Sequence, residues 1–238
     1  MAGAVILAFL GRPRFTFSAA QIGAGTAYAA NMLLFVFANK ATTAANAVLL
    51  MYTAPLFSAL FGLVLLKERP SGAQWVGLAA VIVGIAVFFA DRVGGGNAVG
   101  NALALGSGLA YGLFSVLMRM QKEGSPLESS LLANAIMVVI GLFALPFLPA
   151  PSLTARSIVA VLLLGALQIG CASVCFSIGI KRVSALQAML VAMLEPILNP
   201  VWVLIFAGEA PSANALAGGA IIIAAVAISA GLSMRRRS

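Results

Sequence analysis

LVAMLEPILNPVWVLIFAGEAPSA, residues 190–213, decides how this chain is to be read. The run is apolar over most of its length. It nevertheless carries a carboxylate, Glu195, and two prolines, Pro196 and Pro200, where an uninterrupted helix is expected. The rest of the chain says what solvent surrounds it. Of 238 residues, 62% are hydrophobic and 8% are charged, against roughly a quarter charged in an ordinary soluble domain. The charges gather in short clusters between apolar runs of about twenty residues, the length of helix that crosses a hydrocarbon core. Lipid is therefore the solvent for most of the chain, and the fold class is an all-α membrane protein.

Apolar runs between turn signals predict spanning helices at 17–38, 43–66, 72–90, 99–118, 129–148, 157–179, 184–207 and 212–232. Residues 1–10 form a further apolar piece, which at ~1.5 Å per residue reaches about halfway across a bilayer core. The chain also repeats itself. A shift of 141 residues lays Lys40 on Lys181, Asn46 on Gln187, Pro55 on Pro196, Glu68 on Glu209, Pro70 and Ser71 on Pro211 and Ser212, and Gly77 on Gly218. Matches of Pro, Glu and Lys in one register are the mark of an internal repeat.

The expected organisation is a first half at 1–93, a glycine-rich linker at 94–100, a second half of five helices at 101–234 and a basic cytoplasmic tail at 235–238. Carrying the second half back by the same shift predicts a ten-helix design, with the first helix and most of the second missing from this chain. Five helices per half is an odd number, so the halves enter the membrane with opposite orientations, the inverted-repeat helical bundle of many transporters. With the carboxyl terminus inside, the inner loops hold Arg12, Arg14, Lys67, Arg69, Arg119, Lys122, Lys181, Arg182 and Arg235 to Arg237. The outer loops hold Lys40, Arg92 and Arg156. That imbalance obeys the positive-inside rule.

Composition also excludes function classes. The net charge of +8 sits at span ends, as topology signals do, so nucleic acid is not an expected partner. There is no histidine, which removes His-dependent triads, His metal clusters and imidazole relays. No glycine-rich GxxxxGK[ST] phosphate loop appears, so ATP drive is not encoded here. No cofactor or metal is implied. Cys171 and Cys175 lie four apart in an apolar run and read as small packing residues. The opening MAGAVILAFLGRPR lacks the basic start of a cleavable signal.

Pro55-Leu56, then Glu68 and a new helix near Gly77, resembles the EamA-type half of the drug/metabolite transporter superfamily. Leu194-Glu195-Pro196, followed by Gly208-Glu209 and Gly218-Gly219, resembles it more closely still. The resemblance implies ten helices in two inverted five-helix halves in the cytoplasmic membrane. It also implies movement of a small organic metabolite or drug through a central cavity, often outward.

Within that frame Glu195 is the leading candidate for contact with substrate. A charged side chain at mid-bilayer costs roughly 2.5–3.5 kcal/mol on insertion scales, and no Lys or Arg lies at comparable depth in this parse. A neutral, protonated carboxyl facing a wet cavity or binding carbonyls near the prolines answers that cost, and protons are a candidate coupling ion. Gln187, Val191, Glu195, Asn199 and Trp202 follow steps of four, four, four and three, one stripe of a helix. Such a stripe lines a cavity or joins helices by hydrogen bonds. Asn46, the mate of Gln187, is expected to share a face with Thr53. Tyr111 and Ser107 share a span with Gly108 and Gly112, whose spacing also marks close helix packing. Asn31, Asn134 and Gln168 are single intramembrane amides, open to either role. Pro55, Pro196 and Pro200 are candidate kinks or gates, since each removes a backbone donor. Glu68 reads as an acid near a helix start, with Ser71 and Gln74 at capping-box spacing.

The expected activity is secondary transport by alternating access, with a small-molecule substrate and the bilayer as partners and the oligomeric state open. A non-transporting scaffold or inactive truncated remnant is the alternative. An intramembrane enzyme would need paired acids, metal ligands or a positioned nucleophile and base, and no such set is visible.

Overall fold

A computed structural model describes residues 15–91, 94, 96–124, 126–147, 154–198, 205 and 212–235, and every regular element among them is helical. In chain order these are α1 (Ala19–Ala41), α2 (Ala44–Met51), α3 (Ala54–Phe61), α4 (Gly72–Phe88), α5 (Ala98–Met120), α6 (Leu127–Ala144), α7 (Ala155–Leu163), α8 (Ala172–Gly179), α9 (Ala185–Ala192) and α10 (Ala213–Arg235). A π-helical turn, Gly62–Leu66, extends α3, and a longer one, Leu164–Cys171, joins α7 to α8.

Each predicted span has a helical counterpart. Ala19–Ala41, Ala44–Leu66, Ala98–Met120, Leu127–Phe147, Ser157–Gly179 and Ala213–Leu232 are long and apolar enough to cross a membrane. Gly72–Phe88 and Ala185–Leu198 are shorter apolar helices. The chain is a multi-pass helical membrane protein. The apolar piece at 1–10 lies outside the described residues.

Several helix starts are capped by small hydroxyl side chains, which take up amide protons that the first turn leaves without carbonyl partners. Thr43 Oγ1 accepts from the Asn46 amide and Ser184 Oγ from the Gln187 amide. Ser71 Oγ accepts from the Gln74 amide and Ser212 Oγ from the Ala215 amide. Each pair of caps is 141 residues apart, as are the first residues of α2 and α9 and of α4 and α10. The Ser71–Gln74 capping box forms as its spacing predicts, with Gln74 Oε1 accepting from the Ser71 amide at 2.8 Å.

The chain divides into two compact units. One draws on the described residues of Met1–Ala29 and Leu117–Val183. There α6 packs on α8, and Leu132 closes over Gly25, 3.0 Å from where a Cβ would stand. Arg119 Nη1 donates to the carbonyls of Ile180 at 2.9 Å and Lys181 at 2.7 Å. A cation on carbonyls just beyond a helix end also complements the helix dipole.

The other unit draws on Ala30–Val116 and Ser184–Ser238. Its core joins Tyr52, Ala59, Leu78, Val81, Ile85, Phe88, Leu186, Leu190, Met193, Ile222 and Val226. Within it α4 and α10 run antiparallel at close range. A Cβ on Gly77 would meet Ser229 Cβ at 2.9 Å, and one on Gly218 would meet the Phe88 nitrogen at 2.5 Å. Under the 141-residue shift these two contacts exchange, because Gly77 becomes Gly218 and Phe88 becomes Ser229. Equivalent helices related by contact exchange and opposite in direction are what an inverted repeat requires.

Two of the intramembrane polar positions find partners, Asn31 in this unit and Asn134 in the other. Asn31 of α1 donates through Nδ2 to Ser107 Oγ of α5 at 2.9 Å, and Ser107 Oγ donates back to the Asn31 carbonyl at 3.3 Å. Asn134 in α6 instead donates to the Ser130 carbonyl of its own helix at 2.8 Å. Replacing Asn31 by Leu is expected to cost about 0.6–2 kcal/mol, the range of interhelical side-chain bonds in membranes. The thermal midpoint in detergent checks it, with Asn134→Leu as the milder comparison.

Candidate functional site at the two helix breaks

The predicted span 43–66 is not one helix. It stops at Met51, turns through Tyr52 and Thr53 and resumes at Ala54. The span beginning at 184 does the same: α9 ends at Ala192, Met193 and Leu194 turn, and residues 195–198 are helical again. The bonds around the breaks correspond one for one. Tyr52 donates to Val48 O at 3.0 Å, Thr53 to Leu50 O at 3.1 Å and Leu56 to Thr53 O at 2.9 Å. Met193 donates to Met189 O at 3.2 Å, Leu194 to Val191 O at 3.1 Å and Ile197 to Leu194 O at 3.2 Å.

The prolines explain both breaks. Inside a helix a proline forfeits a hydrogen bond and its ring clashes with the preceding turn. Placed in the first turn of a fresh helix, it meets no such penalty. Pro55 is the second residue of α3, and Pro196 follows the first helical residue after its own break. Both are buried. The kink expected at Pro55 is thus a complete interruption one turn earlier, at Tyr52 and Thr53. Non-helical backbone at membrane depth is tolerated where protein or water satisfies it.

Around the first break the packing is tight. The GxxxG pair of α5 lies against it: a Cβ on Gly108 would meet Met51 O at 2.8 Å, and one on Gly112 would meet Ala54 O at 2.7 Å. Thr53 Oγ1 donates to Leu50 O at 2.6 Å. Ser58 and Ser115 share a hydrogen bond of 2.8 Å between α3 and α5, and both are fully buried. Tyr111, half-buried on α5, stacks on Phe114 at 6.1 Å between centroids.

The second break carries the acid. Glu195 is exposed among the described residues, directly after the Met193–Leu194 turn. It lies close enough to Tyr52 to act on it electrostatically. Tyr52 itself is 7% exposed and shares a core cluster with Met193. The sequence reading passed over Tyr52, although its register mate is the residue two before Glu195. Ser58 was passed over as well; its mate is Asn199, and that correspondence was the available signal.

The remaining candidates separate. Gln187 is buried, whereas Val191 one turn on is 47% exposed. The stripe from Gln187 to Glu195 is interrupted at residues 193–194 and does not run as one helical face. Asn46 lies eight residues before Ala54, and its side chain serves the turn beside it. Oδ1 accepts from the Gly94 amide at 3.3 Å, and Nδ2 donates to Thr42 Oγ1 at 3.5 Å. Asn199, Pro200 and Trp202 lie outside the described residues, as does the Gln168 side chain.

These features define a class: an α-helical membrane protein with an internal repeat, in which the equivalent helices α4 and α10 run antiparallel and two equivalent spans break at matching points. The chain belongs to the EamA-like transporter family, which it matches over residues 1–90 and again over 98–231. It is 25% identical over 206 residues to an uncharacterized transporter of Clostridium kluyveri, a match covering 81% of this chain. The chain spans 65% of the length of that curated relative. A solved crystal structure shares its fold with a TM-score of 0.84 at 23% identity, covering 100% of this chain and 86% of the other.

Proposed function

We propose that the protein is a secondary transporter that moves a small organic solute outward across the cytoplasmic membrane by alternating access. The observation that carries this reading is the matched pair of breaks, 51–54 and 192–195, in two spans that the 141-residue shift makes equivalent. Interrupted helices near a repeat interface are how transporters present backbone polar groups and half-helix ends to a solute at mid-bilayer. Family membership and the Clostridium relative support the same reading.

In this reading the halves are 1–93 and 101–234, joined by 94–100, and belong to a ten-helix design. The carboxyl terminus and the tail 235–238 face the cytoplasm. Glu195 and Tyr52 contact solute or proton, Thr53, Tyr111, Gln187, Asn199 and Trp202 complete the lining, and Asn46 steadies one end of the first broken helix. Pro55, Pro196 and Pro200 keep the breaks in place while the halves rock.

Counterflow in proteoliposomes tests it. Vesicles loaded with an unlabelled solute from a panel of amino acids, nucleosides and neutral drugs should accumulate the labelled form, unchanged, at least about tenfold faster than protein-free vesicles. A panel that yields neither counterflow nor proton-driven uptake would leave a scaffold as the better account.

A further inference from the structure

At the end of α3 the chain turns sharply. Lys67 adopts φ 55°, a left-handed conformation that stops the π-helical turn, and the Glu68 amide donates to Gly62 O at 3.1 Å. Glu68, read from the sequence as an acid near the start of α4, reaches a second helix as well. Its carboxylate Oε2 accepts from the amide of Ala185, the first residue of α9, at 3.3 Å. Beside it Gln74 Nε2 donates to Ser184 Oγ at 3.0 Å. Gly62, Glu68, Gln74 and Ser184 line a cleft of about 20 Å³ between these elements, room for about one water.

We infer that Glu68 and Gln74 form a latch between the two repeats, closing the Lys67 end of the path between α3 and α9 and releasing when that end opens. The geometry supports a latch over a permanent joint for three reasons. Both bonds join the corner between α3 and α4 to the start of α9, so parting that corner from α9 breaks them together. The carboxylate meets a helix amino terminus, where negative charge is favoured, yet the contact sits at the membrane edge, where water can replace it. The arrangement is also lopsided. Under the 141-residue shift Glu68 has a mate, Glu209, but Gln74 corresponds to Ala215, which has no polar side chain. Ala215 cannot make the second bond that Gln74 makes, and this weights the latch toward the Lys67 end. This inference rests on the transporter reading but is tested without any solute.

Gly62 supplies the reporter. It is buried, lines the cleft, and an added Cβ there meets nothing within 4 Å. In full-length protein with Cys171 and Cys175 replaced by Ala, Gly62→Cys is labelled with a membrane-impermeant maleimide from the Lys67 side. Glu68→Ala should speed labelling roughly fivefold, the population change that follows from losing one hydrogen bond of ordinary strength. Glu68→Gln, which keeps an acceptor oxygen at the same reach but loses the charge favoured at a helix start, should label at a rate between the parent and Glu68→Ala. Equal rates in parent and Glu68→Ala overturn the inference, and so does acceleration of the same size in Glu68→Gln. If Glu68→Ala is not monodisperse in detergent, Glu68→Asp, one methylene short of Ala185, replaces it with the same two readings. A failed counterflow experiment leaves this result standing, and the reverse holds too.

Discussion

Gly218→Leu is expected to destabilise the protein by about 3 kcal/mol or more, at the upper end of overpacking penalties. The reason lies in what the new side chain would meet. A Cβ at Gly218 stands 2.5 Å from Gly84 O, 2.5 Å from the Phe88 nitrogen and 2.7 Å from Phe88 Cα. All three are backbone atoms, so no rotamer change relieves the contact and α4 and α10 must separate. Small residues let membrane helices approach closely, and packing, not water exclusion, then holds them together. Separation also opens the core around Val81, Ile85 and Ile222, all 3% exposed or less. Gly231→Ala, with nothing within 4 Å of the added Cβ, is the control and should be neutral or slightly stabilising. Thermal midpoints in one detergent decide. Gly218→Leu melting within a degree of Gly231→Ala would contradict the antiparallel contact itself.

Glu195→Gln is expected to abolish pH-driven solute exchange, lowering its rate to background, at least about 100-fold. General acid–base contributions of a single positioned group are of this order. Passive counterflow should persist, because the amide keeps the size and hydrogen-bonding shape of the protonated carboxyl. Tyr52→Phe, which removes a hydroxyl within electrostatic reach of Glu195, should shift the pH midpoint of exchange. The measurement is labelled-solute exchange with and without an imposed proton gradient. An unchanged pH dependence in Glu195→Gln removes Glu195 from proton coupling and leaves facilitated diffusion as the mode of transport.

Much of the fold was legible because lipid is a simple solvent. Backbone groups inside a bilayer must be satisfied locally, so apolar runs of sufficient length become helices, and each predicted span has one. The register of the repeat was legible for a different reason. Pro, Gly and capping Ser or Thr occur where backbone geometry requires them, so Thr43 and Ser184, Pro55 and Pro196, and Ser71 and Ser212 mark equivalent joints.

The candidate site was read less well. Helical periodicity assumes an unbroken helix, so the stripe from Gln187 through Glu195 was drawn across a turn at 193–194 that it could not anticipate. Asn46 and Glu68 show the same difficulty. A polar side chain declares that it needs a partner, but not which one. Asn46 found the Gly94 amide, and Glu68 found Ala185, 117 positions away in the chain.

By itself, then, the sequence determined the solvent, the helices, the joints between them and the internal repeat, because each follows from local backbone chemistry and residue polarity. Only the tertiary structure decided that equivalent helices pack antiparallel through Gly77 and Gly218, that the breaks fall ahead of the prolines, and that Tyr52 comes within electrostatic reach of Glu195. Those outcomes depend on which surfaces meet across long stretches of chain, and the side chains that meet there carry no local mark of their partners.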